Sequence, residues 1–288
     1  MTNSKSQTLI TGTYRSGSEY LTMLLDSHPE LSATMYRVNL IRFMFKRYDP
    51  ISNSKNLELA LSDTNERLFT RYKIQFDYSK VLKRIIDIGY YNYGNIYDAI
   101  MCDLYIKEKC THWAEKNQLM WREIPTFIGM LSNAKAVHII RDPRSVLASF
   151  KKYTKYKYPA CISSIFNSYD ALKTAIEQKQ YLYQFVKLVR YEDLIDFSED
   201  IIKEIWKFIG LSTDHDIKRD NFLDSYGNKW YSNSSFHENI KSDKFDYNSA
   251  KIGWSKRLEK EEIMLAELVC GDLMELFGYE KIFKNIDE

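Results

Sequence analysis

The chain lacks a strong charge excess, a long apolar run and a paired cysteine motif, and each absence removes a class of function. Forty-one Lys and Arg face 39 Asp and Glu, for a formal net charge of only +2. Nucleic-acid binders ordinarily show a basic excess or a basic run, and neither is present. Any phosphate must therefore be held by a few placed groups and not by a bulk field. No stretch approaches the roughly 18 apolar residues of a membrane span. The opening residues 1–7 are polar and too short for a secretory signal. The four cysteines, Cys102, Cys110, Cys161 and Cys270, lie far apart with no C-x-x-C pair. Buried reduced thiols in a cytoplasmic protein are the expectation, with no metal site.

What is present fits a folded α/β protein. Hydrophobic residues make up 44% and charged residues 28% of 288, enough for a sizeable core. Aromatics reach 15%, with 22 Tyr. Most should pack inside, while some can line a sugar or aryl acceptor pocket. TLITGT at 8–13 reads as a strand closed by Gly12, and the spacing of Leu21, Leu24 and Leu25 reads as a helix. AVHII at 136–140 is a buried strand; Asp142 caps the helix after it and Pro143 suits its first position. FVKLV at 185–189 is a third strand, followed by a helix from about residue 199 to 209 that ends at Gly210.

Strands alternating with helices predict a mostly parallel central sheet covered by helices on both faces. Residues 57–68, 78–88 and 96–109 carry helical spacing, LMW at 119–121 can be another strand, and 258–277 reads as a last amphipathic helix. One domain over 1–288 is expected. It would have a helix-rich insertion at about 40–118 and a polar loop or lid at about 214–256.

Gly12-Thr-Tyr-Arg-Ser-Gly17-Ser18 has the frame of a phosphate loop: glycine, four residues, glycine, then a hydroxyl residue opening a helix. Consecutive N–H groups and a helix N-terminus suit an anion. A nucleoside-triphosphate loop needs Lys after the second glycine. Ser18 and Glu19 stand there instead, and the positive charge comes earlier, from Arg15. Taken alone, the loop is equally an ordinary strand–turn–helix. A second cation, Arg141, ends the 136–140 strand, the edge at which parallel sheets bind ligands. Ser149 follows eight residues later, about two helical turns on. Arg141 and Ser149 can share a phosphate, with Arg144 as a third member; the alternative is that Arg141 pairs with Asp142 and Ser149 merely packs.

TYRSGSEYLTMLLDSHPEL resembles the 5′-phosphosulfate loop of PAPS-dependent sulfotransferases (PAPS is 3′-phosphoadenosine 5′-phosphosulfate). VHIIRDPRSVLASF resembles their 3′-phosphate motif, with the same Arg-to-Ser separation. VRYEDLIDFSEDIIKEIWKFIGL is similar to a Y-E-D-L strand–helix segment, and KIGWSKRL more weakly to a late Gly/Trp/basic segment. The four segments, in family order, cover about a quarter of the chain. The resemblance implies a P-loop-like fold and in-line transfer of a sulfuryl group from PAPS, releasing PAP, with no metal. It implies that Arg15, Ser16, Gly17, Ser18, Glu19 and Tyr20 surround the phosphosulfate, mostly through N–H groups. Arg141 and Ser149 would hold the 3′-phosphate, Tyr191 would contact the nucleotide, and Lys251, Gly253 and Trp254 would cover it.

The acceptor side departs from the family. An acceptor hydroxyl needs a proton acceptor. Relatives use a His in a K-T-H segment or a Glu after the H-P turn, and Tyr36 falls near that second position. Where bacterial relatives carry K-T-P, this chain has Arg122-Glu123-Ile124-Pro125. Glu123 stands first as base, although it can equally pair with Arg122 or Arg15; His112 and Glu19 are the other candidates. The acceptor suggested by the motif variants is a carbohydrate or glycolipid. A nucleotide or small-molecule kinase, or a nucleotide-binding relative without turnover, are the rival readings.

Overall fold

A computed structural model describes residues 6–35, 37–106, 110–155, 158–217 and 247–283. Much of the expected lid, together with Tyr36, lies outside the described residues.

In chain order the elements are β1 (Gln7–Gly12), α1 (Ser18–Leu25), β2 (Leu31–Met35), α2 (Leu40–Phe43), α3 (Ser54–Tyr72), α4 (Tyr78–Ile88) and α5 (Tyr93–Tyr105). Next come β3 (His112–Lys116), α6 (Ile124–Met130), β4 (Ala134–Ile140), α7 (Pro143–Tyr153) and α8 (Tyr158–Tyr181). Then follow β5 (Val186–Arg190), α9 (Tyr191–Asp196), α10 (Ser198–Phe208), α11 (Tyr247–Lys251) and α12 (Lys260–Leu276). Local signals set several of these ends. Asp142 accepts from the Arg144 N–H at 2.8 Å and Pro143 opens α7. Asp77 and Asn92 cap α4 and α5 in the same way, and Gly210 adopts φ 87° just past α10.

The five strands form one parallel sheet in the order β2-β3-β1-β4-β5. The side-chain period of two divides each strand between the faces. Leu9, Trp113, Ala136 and Val186 point to one face and pack with α3, α4, α5 and α6. Ile10, Ala114, Val137, Ile139 and Val189 point to the other and pack with α1, α9 and α10. Ile140 joins α7, α8 and α12 in a third cluster. The helix-rich segment between β2 and β3 thus supplies the cover for one face.

One expected strand is displaced. LMW at 119–121 is not a strand: Leu119 has φ 61°, and Trp121–Glu123 is a 3-10 turn. The strand lies earlier, at His112–Lys116, where Glu115 and Lys116 are buried. Two charged residues in five conceal the apolar pattern that marks a buried strand.

Candidate functional site

The sheet delivers one group to a common edge from each of four adjacent strands. In spatial order these are Lys116 ending β3, the loop after β1, Arg141 after β4 and Tyr191 after β5. This is the carboxyl edge of a parallel sheet, at the place where the strand order reverses around β1.

The loop is built by close approach. A Cβ on Gly12 would sit 2.6 Å from the Ile139 carbonyl and from Ser16 Oγ. Thr13 O accepts both from Ser16 N–H (3.2 Å) and from Ser16 Oγ (2.8 Å). Ser16 is therefore engaged inside the loop, by N–H and hydroxyl alike. Arg15 (φ 69°) and Gly17 (φ 90°) turn the backbone through left-handed conformations. The first helical bond of α1 is Leu21 N–H to Gly17 O. The N–H groups of Gly17, Ser18, Glu19 and Tyr20 are the ones a helix cannot satisfy internally. They lie on the anion-binding end of α1. Tyr20 sends its ring into the core, so it can offer only its backbone. Gly17 also lies against Tyr191, whose ring would be 2.1 Å from an added Cβ. Gly17→Ala should lower stability by about 2 kcal/mol or more through strain and clash. It should also weaken anion binding, and paired denaturation and PAP titrations check both effects.

Three of the sequence-selected groups converge. Arg15 Nε donates to Ser149 Oγ at 2.8 Å. Arg141 Nη1 donates to the Arg15 carbonyl at 2.7 Å and Nη2 to the Ala250 carbonyl. The Arg141 guanidinium lies 4.0 Å over the Tyr191 ring. Its Nε is buried and has no partner among the described residues. Burial, and then the Arg141 charge, lower the Arg15 pKa. Two cations held this close repel one another, and an anion between them would offset that repulsion.

Asp142 does not pair with Arg141. It binds Arg144 at 2.8 Å, and Arg144 also binds Glu267 at 2.7 Å and the Glu280 carbonyl. Arg144 is thus neutralised within the protein and is no third phosphate group. Trp254 packs 4.0 Å from the Arg144 guanidinium. Lys251 Nζ binds Asp196 at 2.6 Å, and its carbonyl accepts from Ser145 Oγ. Gly253 opens the 3-10 turn that carries Trp254. The segment from Ala250 to Trp254 therefore sits beside Arg141, with the Lys251 and Trp254 side chains engaged by Asp196 and Arg144.

Lys116 escaped the sequence reading. It is 1% exposed at the end of β3, in register with Ile10. Alternation turns it to the α1 face and turns Glu115 to the α5 face, where Glu115 accepts from Tyr97 Oη and the Val38 and Asn39 N–H groups. Burial lowers the Lys116 pKa to about 8; Glu19 opposes that shift and Arg15 adds to it. A third cation therefore stands beside the loop with Arg15 and Arg141, seven positions before Glu123. The usable signal was a lysine ending a strand next to β1.

The base candidates separate. His112 begins β3, so it lies about 13 Å along the strand from Lys116, at the opposite edge of the sheet. There it lines a cavity of about 630 Å³ with Glu30, Lys135 and Phe185. Distance removes it from the chemistry. Glu123 lies on the turn after β3, half-buried, and accepts from Thr126 Oγ1 at 3.1 Å. Arg122 pairs with Asp170 and not with Glu123. Glu19 lies within electrostatic reach of Lys116 and Arg15, which gives its carboxylate two cations to balance.

The sequence profile of a family described as the sulfotransferase family matches residues 8–215. Carbohydrate sulfotransferase 5 of Mus musculus is 23% identical over 177 residues, covering 54% of this chain and 44% of that protein. The chain thus spans less than half the length of that relative. The sulfotransferase domain from the curacin biosynthetic pathway superposes with a TM-score of 0.57 at 14% identity, covering 96% of this chain and 98% of that one. A mouse sulfotransferase complexed with PAP superposes with a TM-score of 0.50 at 11% identity, covering 94% and 85%.

Proposed function

Because the chain belongs to the sulfotransferase family, we propose that it moves a sulfuryl group from PAPS to an acceptor hydroxyl on a carbohydrate or glycolipid, releasing PAP. The observation that carries this reading is the convergence of Arg15, Arg141 and Ser149 at the edge of the sheet. Support for the donor comes from the superposed mouse enzyme, which is complexed with PAP. Support for the acceptor class comes from the curated relative, which is named for carbohydrate.

In this reading Arg141 and Ser149 hold the 3′-phosphate. Ser149 accepts from Arg15, which leaves its own proton to donate. Tyr191 backs Arg141, and the Lys251–Gly253–Trp254 segment covers the nucleotide. The acceptor oxygen attacks sulfur in line while the bond from sulfur to the phosphate oxygen breaks. Negative charge gathers on the departing phosphate. Arg15, Lys116 and the N–H groups of Gly17 to Tyr20 face that charge, and such pre-placed electrostatics usually supply the largest catalytic effect. Glu123 takes the acceptor proton. Residues 1–288 act as one catalytic domain, with the helices between β2 and β3 as its helix-rich insertion and β3 itself part of the sheet. Among the described residues no helix is long and apolar enough to cross a membrane. Among the described residues Cys102, Cys110, Cys161 and Cys270 form no disulfide, which suits a reducing, cytoplasmic setting.

Thermal-shift titration with PAP, PAPS and Mg-ATP, followed by PAPS-consumption assays, tests the reading. PAP should stabilise the protein clearly more than Mg-ATP; tighter binding of Mg-ATP would replace it with a kinase. Glu123→Gln should lower kcat by about 100-fold or more with the PAP shift retained. Near-normal turnover would remove Glu123 as the base.

A further inference from the structure

Two stretches far apart in the sequence meet beside the carboxyl edge of the sheet and pool their positive charge. Residues 37–47 carry Arg37, Arg42, Lys46 and Arg47, residues 67–73 carry Arg67, Arg71 and Lys73, and neither stretch holds an Asp or Glu. These seven cations exceed the net charge of +2 of the whole chain, so the rest of the chain is net acidic. Arg67 joins the two stretches by donating to the Arg37 and Val38 carbonyls at 3.1 and 2.6 Å. The Val38 and Asn39 N–H groups in turn bond Glu115, next to Lys116. Aromatic rings lie between the charges. Arg42 and Arg67 share the Phe43 ring, Arg37 and Arg71 the Tyr72 ring, Lys46 lies over Phe45 and Lys73 over Phe69. Arg42, Lys46, Arg47, Arg71 and Lys73 are exposed, and Phe69 is 47% exposed. Of the acids flanking the stretches, Asp49 and Asp63 accept from the Tyr93 and Tyr48 hydroxyls at 2.8 Å, and Glu66 stands one position before Arg67.

We propose that this surface docks on an anionic lipid bilayer. The proposal goes beyond sulfuryl transfer and does not rest on the donor or acceptor assignments. Each basic group held near an acidic headgroup layer strengthens binding about fivefold. Charge alone would suit any polyanion. The rings favour lipid, because aromatic bodies seat at the headgroup level, beside Lys and Arg whose stems lie along apolar surface. Phe69, open near the end of α3 with Arg71 and Lys73, can enter that layer. A soluble polyanion offers it nothing comparable. Because the first stretch is bonded next to Lys116, docking would hold the carboxyl edge of the sheet close to the bilayer.

Sedimentation of the full chain with sucrose-loaded vesicles tests this, using phosphatidylcholine alone and phosphatidylcholine mixed with phosphatidylserine. The protein should sediment with the mixed vesicles and not with the neutral ones, and added salt should weaken the binding. Arg42→Gln combined with Arg71→Gln should weaken it about 25-fold. Phe69→Ser should weaken it about tenfold. Both proteins should keep the wild-type thermal shift with PAP. Equal behaviour towards the two vesicles, or undiminished binding in the double variant, would overturn the proposal. So would binding of a heparin tetrasaccharide that Phe69→Ser leaves unchanged, without sedimentation by the mixed vesicles; that result would give the surface to a soluble polyanion.

Discussion

Replacing Lys116 by Met should give a protein that is more stable without ligand and almost inactive. The buried ammonium is disfavoured where it sits, with its pKa lowered by burial from 10.5 to about 8. At 1.36 kcal/mol per unit, that burden amounts to about 3 kcal/mol near neutral pH. A methionine of similar length removes it, and the melting temperature should rise by several degrees. Turnover should fall about 100- to 1000-fold, the usual cost of losing one charge-stabilising donor.

The pH dependence follows from the same displacement. Between about pH 8 and 10.5 the unfolded chain holds a proton at Lys116 that the folded chain has lost. Stability contributed at this position therefore rises with pH across that window, and the penalty is fully present below it. Anion binding runs the other way, because the neutral amine no longer attracts phosphate above about pH 8. The difference between wild-type and Lys116→Met curves isolates both trends from other titrations. Equal melting temperatures together with undiminished kcat would show that Lys116 is ordinary packing.

Arg141→Ala should remove most of the stabilisation by PAP. Truncating one member of a buried charged pair typically costs 2 to 5 kcal/mol, or roughly 30- to several thousand-fold in affinity. The ligand-free protein should suffer less. It loses the two bonds to the Arg15 and Ala250 carbonyls, each worth about 1 kcal/mol. Arg141→Lys restores charge but not the fork, so it should recover only part of the affinity. Calorimetric titration of the three proteins with PAP, beside their melting temperatures, separates phosphate binding from loop support. Wild-type affinity in Arg141→Ala would remove this residue from the donor site.

The donor half of the site was legible because its parts are local. Gly12, Arg15 and Gly17 sit within one turn, and Arg141 and Ser149 share the end of one strand and the helix after it. Strands β1, β4 and β5 showed as apolar or β-branched runs, and the helix at 78–88 stood out by its periodicity. The third strand did not, since Glu115 and Lys116 are charged, and the groups that offset their burial, Tyr97 for Glu115 and Glu19 for Lys116, lie outside the strand. With that strand hidden, no local pattern marked Lys116 as a cation beside the loop. The same non-local dependence hid the fate of Arg144: the sequence shows Asp142 beside it, but Glu267 lies 123 residues away. His112 and Lys116 are neighbours in sequence, yet the strand between them separates the two edges of the sheet. No local pattern reports that.

The Arg141–Ser149 end of the site is assigned here to a 3′-phosphate. Isothermal titration of the wild-type protein with PAP and with 5′-AMP, which differ only in that group, tests it directly. PAP should bind at least 100-fold more tightly, about 2.7 kcal/mol. Equal affinities would contradict the assignment.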